Sequence, residues 1–209
     1  MKLSNGVNAD SYADLRGYFM LKVSMFNNLF IISGPSGAGE DSIISILEKK
    51  LSIEKVITTT TRSMRHGEFQ KKPYYFIFKQ KFLKNIKDNK FFEYALAYNN
   101  HYYGVTHNEI NRVINSKKIG IWKIEYQGVI SAKKLFKNIP AILINAPIKI
   151  LEQRIKKRAN VSKQYVQTRQ KYTQEWMKYK KLYDYEVINQ DGKLNQATDE
   201  VIKIILNYK

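Results

Sequence analysis

At 209 residues the chain fits one large domain, or a core with inserted subdomains, and can bury a real hydrophobic core. With 44% hydrophobic and 26% charged residues it is ordinary for a globular protein. No apolar run approaches the roughly 18 residues of a membrane span, and the absence of cysteine excludes disulfides and thiolate metal sites, which fits a cytoplasmic protein. The formal charge of +18 is mostly lysine spread over nearly the whole length, with no basic arm or Arg-rich tract. It reads as composition plus small anionic substrates rather than nucleic acid.

Residues 1–25 mix Asn, Asp, Ser and Gly with scattered apolars and no amphipathic period, and are expected to form a loosely ordered extension. Residues 26–209 alternate short apolar runs with helical patterns, the signature of an α/β fold with a parallel central sheet flanked by helices. Strands are expected at Leu29–Ser33, Val56–Thr58, Ile119–Ile124, Ala141–Asn145 and Tyr185–Asn189. Helices are expected at Ser42–Leu51, Gly128–Leu135, Ile148–Lys157, Val166–Leu182 and Gln196–Leu206. Between 60 and 106 the pattern changes. Aromatic-rich segments at Tyr74–Phe78, Phe91–Tyr98 and His101–Val105 suggest a small mixed sheet inserted into the parallel core.

The first strand runs into Gly34-Pro35-Ser36-Gly37-Ala38-Gly39-Glu40-Asp41-Ser42, and a helix follows. A strand, a Gly-rich turn and a helix N-terminus in that order make a phosphate-binding loop, in which successive backbone N–H groups cradle the anion. Gly34 and Gly39 keep the G-x-x-x-x-G-K-[ST] spacing, but Glu40 and Asp41 replace the Lys and the hydroxyl residue. Thr58-Thr59-Thr60-Thr61-Arg62-Ser63-Met64-Arg65-His66-Gly67-Glu68 offers two arginines three residues apart, suited to clamping a phosphate dianion. Thr-rich strands and exposed arginines are also common for purely structural reasons. Glu93, before Tyr94-Ala95, and Glu125, at the end of an apolar strand, could accept from the N1–H and N2–H₂ edge of guanine, an edge adenine lacks. A lone strand glutamate is more often a solvated surface residue; the functional reading gains from the motifs occurring together.

Taken together these motifs resemble guanylate kinase, from about Asn28 to the C-terminus. The resemblance rests on the Gly34–Gly37 loop, the Thr58–Glu68 element, Tyr74, Glu93–Ala95, His101–Gly104, Ile124–Gly128, the Arg154 and Arg158 spacing continued to Arg169, and Tyr183–Asn189. It implies a P-loop kinase with a core of 26–59 and 107–209, a mixed-β GMP-binding insertion of about 60–106 and a helical lid of about 154–170. It also implies ATP as phosphoryl donor, GMP as acceptor and Mg²⁺ as cofactor. Arg62, Arg65, Tyr74 and Tyr103 would hold the GMP phosphate. Thr58, Glu93 and Glu125 would face guanine. Arg154, Arg158 and Arg169 would close over the transferring group, and Asn189 would approach adenine.

Four residues depart from the family pattern: Glu40, Asp41, Lys123 in place of an acid, and Val105 in place of a guanine-contacting hydroxyl. The first three suggest a charge swap. Lys123 would supply the ammonium that the loop lost, while Glu40 or Asp41 pairs with it or, with Ser42, holds Mg²⁺. Two other readings stay open: a guanylate-kinase-like module that binds nucleotide or a partner without turnover, and a kinase acting on a different phosphorylated acceptor.

Overall fold

The computed structural model describes residues 28–97, 100–157 and 162–208. The expected extension over 1–25 lies outside them. Five strands form a parallel sheet: β1 (Leu29–Ser33), β2 (Ile53–Lys55), β8 (Ile119–Lys123), β9 (Ala141–Asn145) and β10 (Tyr185–Ile188). Their spatial order is β10-β9-β1-β8-β2, which puts β1 in the centre. Period-two alternation sends successive side chains of β1 to opposite faces. Phe30 and Ile32 pack with Ile43, Leu47, Val187 and Val201 on one face. Leu29 and Ile31 pack with Val113, Trp122, Val129 and Ile139 on the other. A strand covered on both faces reads as an apolar run, and all five residues of β1 are buried, the polar Ser33 at its end with its hydroxyl donating to the Ile124 carbonyl.

Helix α1 (Glu40–Lys50) follows the Gly-rich turn. Acids in its first turn and Lys49 and Lys50 in its last suit the helix dipole. A second, mixed sheet comprises β3 (Thr59–Thr60), β4 (Phe69–Gln70), β5 (Pro73–Phe76), β6 (Phe91–Leu96) and β7 (Tyr102–Thr106). Its spatial order is β4-β5-β3-β7-β6. Between β5 and β6 lies α2 (Lys79–Lys87), and α3 (His107–Asn115) follows β7 without a loop. Then come α4 (Tyr126–Leu135), α5 (Ile148–Lys157), α6 (Lys163–Lys178), a 3-10 turn (Lys180–Leu182) and α7 (Leu194–Asn207).

Two expectations need correcting. Val56–Thr58 is not a strand. It links β2 of the parallel sheet to β3 of the mixed sheet, and Glu109 on α3 pins it by accepting from Ile57 N at 2.7 Å. The expected helix Val166–Leu182 starts earlier, with the Ser162 hydroxyl accepting from Tyr165 N, and breaks at Tyr179 into the 3-10 turn.

Candidate active site

The phosphate loop is shaped by backbone crowding. A Cβ at Gly34 would lie 2.4 Å from the Ile144 carbonyl oxygen, so β9 can pass only behind a glycine. Gly37 and Gly39 have φ of 91° and 94°, in the left-handed region where glycine carries no steric penalty. Gly39 caps α1 without a side-chain cap hydrogen bond. Backbone N–H groups at a helix N-terminus and the positive end of its dipole are suited to an anion. Asn189 lies beneath the loop, 2% exposed, and its Nδ2 donates to the Ala38 carbonyl at 2.7 Å. The residue expected beside adenine is thus a support of the loop, and its Oδ1 is buried without a hydrogen bond among the described residues.

Lys123 ends β8, opposite Ile32 of β1, and so points at the loop from the neighbouring strand. Its Nζ lies 2.5 Å from Asp41 Oδ1. Burial works against its charge, but Glu40 and then Asp41 outweigh that, and the ammonium is held above its ordinary range. Glu40, Asp41 and Lys123 therefore form one charge cluster at the N-terminus of α1. Asp41 and Ser42 are exposed. A loop carboxylate beside a hydroxyl provides the oxygen donors Mg²⁺ prefers when substrate phosphates complete the shell. No group of three or more His or acidic side chains clusters for a metal among the described residues.

Across the site the mixed sheet carries the residues expected to hold the acceptor. The Arg62 guanidinium forms a fork with Glu68, at 2.9 and 2.8 Å, and sits 5.4 Å from the ring centres of both Tyr74 and Phe76. Glu68 also accepts from the Arg65 backbone N–H at 2.7 Å, so it orders the Arg62–Arg65 turn. The Arg65 residue is exposed. Tyr74 and Tyr103 meet edge to face at 5.9 Å, and burial raises the Tyr74 phenol.

Thr58, with 8% exposure, and Glu93, with 6%, are buried. Glu93 faces Val105 across the β6–β7 pair. None of the described hydrogen bonds or ion pairs reaches its carboxyl, and burial alone pushes it up to about 8. A buried carboxyl left unpaired suits a ligand that brings its own donors. Val105 is fully buried in the core and offers no hydroxyl. Glu125, just before α4, is exposed and accepts from Tyr172 of α6 at 2.6 Å.

Of the expected lid residues, Arg154 donates to the Gly37 carbonyl at 3.3 Å and the Gln190 carbonyl at 3.1 Å, bridging the loop to the segment after β10. Arg169 lies over the Tyr165 ring at 5.1 Å. Arg158 falls outside the described residues. Three contributors were not legible beforehand as site residues: Glu68, Tyr172 and the pinning Glu109. Glu68 stands inside the arginine motif, and six residues of separation was the available signal.

The family model for guanylate kinase matches residues 26–208. A guanylate kinase of Rickettsia felis is 36% identical over 180 residues, covering 85% of this chain and 92% of its own. One from Clostridium tetani is 34% identical over 178 residues, covering 85% and 84%. One from Blochmanniella floridana is 38% identical over 167 residues, covering 78% and 79%. Among solved structures, guanylate kinase from Anaplasma phagocytophilum superposes with a TM-score of 0.65 at 20% identity, covering 85% of this chain and 84% of that one. That likeness supports the fold.

Proposed function

The chain belongs to the guanylate kinase family, and we propose that it transfers the γ-phosphoryl group of ATP to GMP through a phosphate loop whose lysine has moved to Lys123. The observation that carries this reading is the 2.5 Å approach of Lys123 to Asp41 at the N-terminus of α1. An ammonium and a carboxylate are both present at the loop, with their chain positions exchanged.

Phosphoryl transfer needs positioning and electrostatics more than covalent chemistry. In this reading the loop Gly34–Ser42 holds the ATP phosphates through its backbone N–H groups, apart from Pro35, which has none, and Ala38, which donates to the Pro35 carbonyl at 3.0 Å. Lys123 offsets the charge of Glu40 and Asp41, which would otherwise repel them. A carboxylate about 4 Å from a phosphate charge costs roughly 4 kcal/mol at an effective dielectric near 20, so the offset decides whether ATP binds productively. Asp41 and Ser42 would hold Mg²⁺, which when bound screens the phosphates and polarises the transferring group. Arg62, Arg65, Tyr74 and Tyr103 bind the GMP phosphate, Arg62 being preset by Glu68. Thr58, Glu93 and Glu125 read guanine. Arg154, Arg158 and Arg169 approach the transferring group, and Asn189 keeps the loop in register.

A coupled ADP-release assay with ATP and Mg²⁺ against GMP, dGMP, AMP and UMP tests the reading. Turnover with the guanine nucleotides and little with AMP or UMP is expected. Binding of GMP without ADP release would favour the inactive module, and turnover with a different acceptor would favour the third reading.

A further inference from the structure

Reading a base edge requires a carboxylate held in one place, and Glu125 is exposed at the start of a helix where several rotamers are open to it. The contact that holds it comes from α6. Tyr172 Oη lies 2.6 Å from Glu125 Oε2 and 2.9 Å from Gln127 Oε1. A phenol has one proton to give, and the shorter, charge-assisted contact with Glu125 is the stronger of the two. It engages one carboxylate oxygen and leaves Glu125 Oε1 for a ligand.

A chain of hydrogen bonds fixes the residue before it. One turn after Tyr172, Trp176 Nε1 donates to Tyr183 Oη at 2.9 Å. Tyr183 Oη is 3.0 Å from Ser33 Oγ, which donates to the Ile124 carbonyl at 2.6 Å. Tyr126, following Glu125, packs its ring against Tyr172 and Trp176 at 5.4 Å each and stacks on Tyr179 at 5.1 Å. Glu125 and Tyr126 are thus held directly by side chains of α6, and Ile124 through Ser33 of β1 and Tyr183. The same helix carries Arg169, three residues before Tyr172.

We propose that Tyr172 is a positioning residue for acceptor selectivity, fixing the Glu125 carboxylate so that it reads the 2-amino group of the acceptor base. The proposal rests on the reading of this site as a GMP site. Inosine monophosphate provides the probe, because it keeps the phosphate, the ribose and the N1–H but lacks the 2-amino group. Removing the phenol oxygen frees Glu125 to rotate, which weakens the contact that GMP alone makes.

The test is calorimetric binding of GMP and inosine monophosphate, without ATP, to the native chain, Tyr172→Phe, Glu125→Gln and the double variant, each with its melting temperature. The native chain is expected to prefer GMP. Tyr172→Phe should weaken GMP binding by about tenfold, the scale of a hydrogen bond to a charged group, and leave inosine monophosphate within about twofold. In the Glu125→Gln background the same change should have almost no effect, because Tyr172 acts through that carboxylate.

Equal losses for both nucleotides, unchanged binding of both, or an additive effect in the double variant would overturn the proposal while leaving the GMP site intact. Tighter GMP binding in Tyr172→Phe would also overturn it, by showing that the tyrosine competes with the base. A native chain that binds neither nucleotide would overturn the GMP reading itself, and this proposal with it.

Discussion

Raising the pH should tighten GMP binding, and the reason lies in Glu93. Burial pushes its carboxyl up to about 8, and no described hydrogen bond or ion pair stabilises the charge. In the free protein at neutral pH it is therefore mostly protonated. Guanine presents N–H donors, so the bound form is the carboxylate, and binding expels the proton. With a pKa of about 8, the ionised fraction rises from roughly a tenth at pH 7 to a half at pH 8. GMP affinity should thus rise about fivefold between pH 7 and pH 8 and level off above about pH 9. Starting at pH 7 keeps the phosphate, whose second ionisation lies near pH 6, largely outside the window. The sign for stability is the opposite. Below the ordinary carboxylate range the group is protonated whether folded or not, and above it the unfolded chain loses the proton first. The Glu93 contribution therefore makes the ligand-free fold less stable as pH rises from about 5 to 8. Calorimetry of GMP binding in buffers of different ionisation enthalpy measures the released proton directly, and Glu93→Gln should abolish both the release and the slope. A flat pH profile in the native chain, or proton uptake on binding, would refute the reasoning.

Arg62→Ala and Arg65→Ala should each weaken GMP binding by about 1.5–3 kcal/mol, as for charge-assisted hydrogen bonds to phosphate, read by titration calorimetry. Arg62→Ala should also lower the denaturant midpoint, because Glu68 loses its fork, whereas Arg65→Ala, at an exposed residue, should leave it nearly unchanged. Asn189→Ala should cost about 1–2 kcal/mol of stability and raise KM for ATP without moving KM for GMP, since it leaves the Ala38 carbonyl unpaired beneath the loop.

Much of this architecture is legible in the residues alone, and the failures have physical causes. The strands Leu29–Ser33 and Ala141–Asn145 and the helix Ile148–Lys157 match to the residue, because they are apolar or amphipathic runs bounded by Gly, Pro or polar residues. Helix α2 escapes because it is only nine residues long, with Phe82, Leu83 and Ile86 as its apolar positions, too short a stripe to read. Helix α3 escapes because it follows β7 with no break beyond the Thr106 hydroxyl that caps it. Val56–Thr58 reads as a strand because it is largely β-branched. It instead crosses from β2 to β3, where Glu109, far along the chain, accepts from Ile57 N.

In the site, Lys123 and Asp41 stand 82 residues apart, and their ion pair is one of the alternatives that the exchanged charges leave open. The Tyr172–Glu125 bond has no such signal, because it depends on how α6 lies against α4. The placement of Asn189 depends likewise on the loop's close packing over β10. Residue types fix the chemistry available at a position, and the tertiary packing decides which partner receives it.

The central claim is that the loop lysine has been relocated to Lys123, and a double-mutant cycle in the ATP–GMP assay tests it most directly. Lys123→Ala should lower kcat/KM by roughly 30- to 1000-fold, from a Coulomb interaction of about 2–4 kcal/mol once partial exposure of the pair is allowed for. Glu40→Lys alone should bring no gain, because it sets two ammonium groups side by side. The double exchange, Glu40→Lys with Lys123→Asp, should recover more activity than either single exchange, with a coupling of about 0.5–3 kcal/mol. Additive effects, or a gain from Glu40→Lys by itself, would contradict the account and leave Lys123 a bystander on its strand.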